Sequence, residues 1–428
     1  MRRHFILLLL ALTLALTAGA QDFNTYFLDK TLRLDYLFTG DGKNQAISLM
    51  LLSSLPSWAG RQNRLSELPL QGNGQVTVKD KATGNVIYRT SFSSLFQEWL
   101  STDEAQTTVK GFENTFLVPF PKNAVNIEVT LTDTRGRVST FFSHMVDPED
   151  ILIREKGVKD VLPYEYILRS GSKEDCIDVA ILAEGYKEEE MGIFLEDAKA
   201  AAESIFSHEP FKTLKSHFNV VAVKSPSQES GVSVPRLDDW RQTAFQSHFS
   251  TFYSTRYLTT SHVQDIHDAL SGVDYEHIII LANTTEYGGG GIYNSYTLTA
   301  AHDRWFKEVV VHEFGHSFGG LADEYFYDDD VMTDTYPLDT EPWEKNVTTL
   351  VDFASKWSSL IPKGTPQPTP VEKKDKYKVG LYEGAAYSSK GLYRGSYDCR
   401  MRTNECPEFC PVCQAALTDL INFYVKKQ

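Results

Sequence analysis

Between residues 21 and about 150 the chain alternates apolar and polar positions in short runs. Examples are Gln75-Val76-Thr77-Val78, Asn85-Val86-Ile87-Tyr88 and Asn126-Ile127-Glu128-Val129-Thr130-Leu131. A period of two places every second side chain on one face of a strand. Asp41-Gly42 and Gly84-Asn85 supply residues that tolerate the positive φ of tight turns. Repeated short strands with little helix predict a β-sandwich. No catalytic constellation falls within it, so its expected role is packing or spacing, with substrate or ligand presentation as the alternative.

The pattern changes beyond Asp147-Pro148-Glu149-Asp150. Cys176 to Ala183, Phe218 to Val223 and His277 to Ala282 are nearly unbroken apolar runs, as expected of buried strands. Lys187 to Phe206 carries Ile193, Phe194, Ala198, Ala201 and Ile205 on one stripe and predicts a helix, as does the shorter Val263 to Leu270. Gly288 to Gly291 precede a short strand expected over Ile292 to Leu298. Strand and helix in alternation predict an α/β layer with a mostly parallel, twisted sheet. Residues 326–395 read as a long irregular excursion with a proline-rich stretch. Its Asp328-Asp329-Asp330 is solvated charge in the simpler reading and a calcium site in the other. Pro411 to Tyr424 has Cys413, Leu417, Leu420, Ile421 and Tyr424 at helical spacing. The fold class expected is α+β or α/β, with a β-sandwich over 21–150 and a second domain over 151–428.

Residues 1–20 are expected to be a cleaved signal peptide. Arg2 and Arg3 precede an apolar run from Phe5 to Leu16, and Ala18-Gly19-Ala20 forms a small-residue cleavage site before Gln21. The run is too short to span a bilayer, and no other segment reaches eighteen apolar residues. A secreted, periplasmic or extracellular protein is therefore expected. Of 428 residues, 57 are acidic and 42 basic, a formal net charge of −15 that argues against nucleic acid and anionic membranes as partners. Five cysteines are few, and four of them, Cys399, Cys406, Cys410 and Cys413, crowd together. In an oxidising compartment two local disulfides are the first expectation, a structural zinc on the four thiolates is the rival, and free thiols are the remaining alternative.

Candidate chemistry concentrates in His312-Glu313-Phe314-Gly315-His316. On a helix the two imidazoles share one face, one turn apart. That spacing suits a zinc ion bonded at about 2.0–2.1 Å to each ring nitrogen. Glu313, about 100° round the axis, is placed to act as general base on a metal-activated water. A third ligand is required, and His316 is the last of eleven histidines, so a downstream ligand must be a carboxylate. Gly319-Gly320 can end the helix and turn the chain back. Asp323 is then the expected third ligand, with Glu324 as the alternative and Glu341 or Glu383 as more distant ones.

The extended run His-Glu-x-x-His-x-x-Gly-Gly-Leu-Ala-Asp-Glu-Tyr at 312–325 resembles the IgA-metallopeptidase family, a branch of the metzincin zinc peptidases. Upstream, Ala183-Glu184-Gly185-Tyr186 with Glu188 to Glu190 is similar to the family's opening strand and helix. Downstream, Cys399-Arg400-Met401-Arg402 and Phe409-Cys410-Pro411-Val412-Cys413 resemble its distal segment. The resemblance implies a metzincin-like domain with Met401 as the methionine floor beneath the metal, and an amino-terminal β-rich module. Two positions depart from the wider pattern. The usual third-ligand position is Ala322, one residue before Asp323. The tyrosine expected two residues after the methionine is Thr403, which leaves Tyr387 and Tyr393 as candidate transition-state donors. The expected function is a secreted zinc-dependent endopeptidase acting on protein or peptide substrates. The rival reading is a secreted binding or adhesion protein with a structural or inactive metal site.

Overall fold

The computed structural model describes residues 22–326 and 336–425. The expected signal segment with its cleavage site before Gln21, and the run Asp328-Asp329-Asp330, lie outside them. The described residues open with one helical turn, α1 (Phe23–Tyr26), capped by the Asp22 carboxylate. Seven strands follow: β1 (Phe27–Gly40), β2 (Gln45–Leu55), β3 (Gly74–Asp80), β4 (Val86–Phe92), β5 (Lys110–Pro121), β6 (Val125–Thr132) and β7 (Val138–Val146). They form two sheets, ordered β5-β1-β2 and β4-β3-β6-β7, the first extended by β8 (Arg154–Glu155). Burial alternates residue by residue along β6, as a half-buried antiparallel strand requires. Leu32, Leu34, Tyr36 and Phe38 of the first sheet share one apolar core with Val76, Val78, Ile127 and Val129 of the second. The short helix α2 (Leu95–Trp99), capped by Ser94, buries Phe96 and Trp99 in that core.

The second half is built on β9 (Tyr164–Arg169), β10 (Ile177–Glu184), β11 (Phe218–Val223), β12 (His277–Ala282), β13 (Gly289–Ile292) and β14 (Tyr296–Ala300). Their order is β13-β14-β12-β10-β11-β9. The four inner strands are parallel, and β9 and β13 run antiparallel at the two edges. Ile177, Val179, Ile181 and Ala183 face a core built with α3 (Met191–Ile205), α5 (Phe306–Ser317) and α6 (Pro411–Val425). Ala180 and Leu182 face the opposite core, which includes Val263 and Ile266 of α4 (Val263–Ala269). Burial on both faces explains why these strands are continuous apolar runs.

Two expectations from the sequence need correction. The strand expected over Ile292 to Leu298 is instead two strands, β13 and β14, joined through Asn294 at φ +53°. The glycine run therefore makes the sheet edge. Helix α5 crosses so close to it that a Cβ on Gly291 would lie 2.3 Å from the Glu313 carbonyl oxygen. Only a residue without a side chain fits there. Residues 326–395 are also not irregular throughout, because β15 (Val347–Thr348), β16 (Tyr382–Ala385) and β17 (Ser388–Arg394) form a small sheet. Strands of two, four and seven residues separated by a proline-rich stretch carry too little periodicity to be read from sequence.

The two halves are locked by polar contacts. The Ser93 amide donates to Tyr293 O at 2.9 Å, Asn294 Nδ2 to Ser91 O at 2.8 Å, and Trp343 Nε1 to Asn73 Oδ1 at 2.6 Å. The buried Arg33 of β1 pairs with Asp35 at 2.8 Å and with Asp268 of α4. A buried acid at the start of β10 gives a prediction. Burial raises the Asp178 carboxyl to about 7, Asn219 opposes the rise and Asp274 adds to it. Between the ordinary value of 3.8 and about 7, the folded chain keeps a proton that the unfolded chain has released. This group's contribution to stability therefore falls as pH rises through that window. Asp178→Asn should raise the melting temperature at pH 8 and leave it nearly unchanged at pH 4. Thermal unfolding at the two pH values checks this.

Candidate metal centre and active site

Helix α5 starts where Asp303 turns the chain, its carboxylate accepting the Trp305 amide at 2.8 Å and its carbonyl the Phe306 amide at 3.0 Å. Phe306, Val310, Val311 and Phe314 fix one face in the core, which turns His312, Glu313 and His316 toward the sheet edge. The helix ends as the glycines suggested. Gly320 takes φ +56°, its amide donates to His316 O at 2.9 Å, and the Leu321 amide reaches back to Gly315 O at 3.1 Å. This closure reverses the chain. Asn346 then grips Ala322 from both sides, accepting its amide and donating to its carbonyl at 2.8 Å each.

The reversal brings three atoms into one triangle. His312 Nε2 and His316 Nε2 are 3.1 Å apart, and Asp323 Oδ1 lies 3.1 and 3.2 Å from them. Each imidazole is oriented through its other nitrogen, His312 Nδ1 against Arg400 O at 3.0 Å and His316 Nδ1 against Leu321 O at 2.6 Å. Those carbonyls can only accept, so each Nδ1 carries a proton and, in the neutral ring, each Nε2 presents a lone pair. Asp323 Oδ1 is buried and meets no donor at hydrogen-bonding geometry. Three acceptors thus converge on a point that suits a cation. Without a metal that cation is a proton. Burial disfavours it on His316, yet the Asp323 carboxylate and then Glu313 outweigh burial and raise the ring to about 9. Burial likewise works against the Asp323 anion, and His316 and His312 hold it well below the ordinary range. A divalent ion satisfies all three at once. Bonds of about 2.0–2.1 Å in a tetrahedral site set ligand atoms about 3.3 Å apart, close to the observed triangle.

Met401 is fully buried beneath the helix. A Cβ on Gly315, between the two histidines, would lie 2.6 Å from the Met401 sulfur. The same turn supplies Arg400 O to His312 and Met401 O to the Glu324 amide, the latter at 2.8 Å. Glu313 lies beside the cluster, with its carboxylate within 4.8 Å of ring nitrogens of both histidines. Its pKa is raised by burial, with the two histidines opposing. The glycine edge strand makes room for it, since a Cβ on Gly289 would come within 2.9 Å of Glu313 Oε1.

The remaining candidates separate clearly. Tyr387, at φ +63°, donates its hydroxyl to Asp323 Oδ2 and lies 3.3 Å from the Tyr325 hydroxyl. Tyr393 lies in β17 opposite Thr348 and Glu383, packed against the apolar core, so the structure does not bring it to the cluster. Thr403 hydrogen-bonds Asp398 at 3.1 Å. Glu324 points away from the histidines toward Cys413 and Asn346. Glu341 accepts from Thr349 and the Asp352 amide, and Glu383 from Lys390 and the Gly391 amide, so neither distant glutamate joins the triangle.

Sequence reasoning missed Tyr325, whose ring stacks near His312 at 6.4 Å and 15° and beneath the Arg256 guanidinium. It also missed Glu98 of α2, which accepts from the Tyr257 hydroxyl and feels the charges of His316, Asp323 and Glu313. Burial raises Glu98 to about 7. Tyr325 closes the run 312–325 and was within reach of the sequence; Glu98 carries no signal before folding.

The expected disulfides are absent. All five cysteines are free, and the Cys399 and Cys413 sulfurs are 3.7 Å apart, far beyond a covalent S–S distance of about 2.05 Å. Cys406 stands aside from the others, against Glu408 O at 3.5 Å, so a site on all four thiolates is not formed either.

Among known families, the model described as IgA Peptidase M64 matches residues 166–379 and 372–421, and the model described as Peptidase M64 N-terminus matches residues 22–143. No curated protein matches the chain. No described helix is long and apolar enough to cross a membrane. With matches over most of its length, and with carboxylate and imidazole groups gathered at the motif, the chain belongs to the IgA peptidase M64 family and is a metallopeptidase.

Proposed function

We propose that the protein is a secreted zinc-dependent endopeptidase in which His312, His316 and Asp323 hold the metal and Glu313 is the general base. The observation that carries this reading is the triangle of three acceptor atoms, each about 3.1–3.2 Å from the next, beside the half-buried Glu313 carboxylate. When bound, zinc supplies Lewis-acid polarisation and eases deprotonation of water. Glu313 takes a proton from the attacking water and returns it to the leaving amine. Tyr387 holds Asp323 through Oδ2 and leaves Oδ1 to face the histidines. Tyr325 and Arg256 form the wall next to His312 and are placed to meet substrate.

The sheet edge is a docking line for an extended peptide. At its start Gly289 is already bridged, its amide donating to Arg256 O and its carbonyl accepting from the Leu258 amide, each at 3.2 Å. Gly291, two residues on, faces the same way by strand alternation. A substrate backbone can add there as a further strand. The β-rich half presents substrate as well as packing, because Glu98 of α2 accepts from the Tyr257 hydroxyl, and Tyr257 bridges to Gly289 of the edge strand.

A chelator should abolish cleavage of a broad peptide mixture by the purified protein, and added zinc should restore it. Mass-spectrometric readout of cleaved peptides checks this. Undiminished cleavage by protein shown to be metal-free would end the proposal.

A further inference from the structure

Directly behind the candidate metal centre lies a second convergence of ligand atoms. Cys399, Cys410, Cys413 and Glu324 bring one donor atom each to within 4.8 Å of one another, and all four residues are buried. The Cys399 and Cys413 sulfurs are 3.7 Å apart, and Glu324 Oε1 lies 3.1 Å from Cys413 Sγ and 4.0 Å from Cys410 Sγ. Tetrahedral zinc with Zn–S near 2.3 Å and Zn–O near 2.0 Å sets sulfurs about 3.8 Å apart and oxygen about 3.5 Å from sulfur. The two oxygen–sulfur spacings bracket the expected value, and the Cys399–Cys413 spacing is close to its own and too long for a disulfide.

Three further observations point to a cation here. The Cys399 sulfur accepts backbone amides, from Cys410 at 3.2 Å and Met401 at 3.5 Å, as a metal-bound thiolate does. Glu324 is fully buried and its Oε2 has no hydrogen-bond partner among the described residues. An unpaired carboxylate oxygen in such a place is costly unless something charged meets it. Arg394 is the nearby counter-charge. It is buried, hydrogen-bonded to the carbonyls of Glu383, Gly384 and Tyr397, and interacts with Glu324 electrostatically. Its charge balances part of the excess negative charge that three thiolates and a carboxylate leave around a divalent ion.

We propose that Cys399, Cys410, Cys413 and Glu324 form a second, structural zinc site. Its four protein ligands close the coordination shell, which leaves no position for water or substrate. It ties together three segments that build the first site. Cys399 begins the turn that carries Arg400 O and Met401, Glu324 follows Asp323, and Cys410 and Cys413 flank the start of α6. Loading releases the thiol protons to solvent, so its occupancy rises with pH.

Cobalt substitution distinguishes this site from the first. Full-length protein reconstituted with Co²⁺ should show intense near-ultraviolet sulfur-to-cobalt charge-transfer absorption, which a site of two imidazoles and a carboxylate cannot produce. Metal analysis of the zinc protein should give two equivalents per chain. The double variant His312→Ala, His316→Ala should keep one equivalent and the charge-transfer bands. Cys413→Ser should lose the bands, and if it does not fold, the unaltered protein still decides. One zinc per chain without thiolate absorption, or a disulfide between any two of these cysteines in unreduced peptide maps, overturns the proposal. Loss of metal only from the double-histidine variant would instead leave the first site standing and remove the second.

Discussion

Glu313→Gln is expected to cut peptide hydrolysis by about 10²–10⁴-fold, the usual contribution of a positioned general base, with the metal content unchanged. Glutamine keeps the side-chain length and one oxygen acceptor but cannot take a proton. Glu313 does not belong to the triangle of His312, His316 and Asp323, so its loss removes no ligand. Burial favours the glutamine, because a raised carboxyl pKa means the charged form is disfavoured where it stands. The variant should therefore fold at least as well as the parent. Paired measurements of kcat/KM and of zinc per chain check the expectation. Activity equal to the parent's would remove Glu313 from the mechanism, and loss of metal would make it a ligand.

Asp323→Ala should weaken metal affinity more than any change behind it. The carboxylate is the third corner of the triangle and its Oδ1 has no other partner. Tyr387→Phe removes only the hydrogen bond to Oδ2, and loss of such an orienting contact costs roughly 10–100-fold in affinity or activity. The expected order is thus Asp323→Ala well beyond that range and Tyr387→Phe within it, measured by competition with a chromophoric chelator. Equal effects would mean that Asp323 does not touch the ion. Glu324→Ala separates the neighbouring carboxylate, since Glu324 faces the cysteines and should leave the first site's affinity far less altered.

Much of this was legible in the chain. The histidine spacing, the glycine pair that ends α5 and the acid three residues past it are local features, and local features fix local geometry. The buried parallel strands were equally plain, since covering both faces of a sheet leaves an uninterrupted apolar run. What failed had nonlocal causes. The glycine run was expected only to precede a strand, because glycine disfavours strands on its own, and only the crossing of α5 explains why a side chain is forbidden there. The cysteines looked like disulfides because proximity in sequence says nothing about where their sulfurs point. Glu98 was invisible because it enters from the other half of the chain, about 200 residues before the motif in sequence.

The hydrogen bonds from the Ser93 amide to Tyr293 O and from Asn294 Nδ2 to Ser91 O have a practical meaning. They seize the bend between the last two strands of the larger sheet, whose outermost strand borders the catalytic groups. Excising the first half of the protein would unclasp that hairpin and leave the mouth of the enzyme ragged. Under the proposed function, the β-rich half would be a jaw of the tool and not its handle.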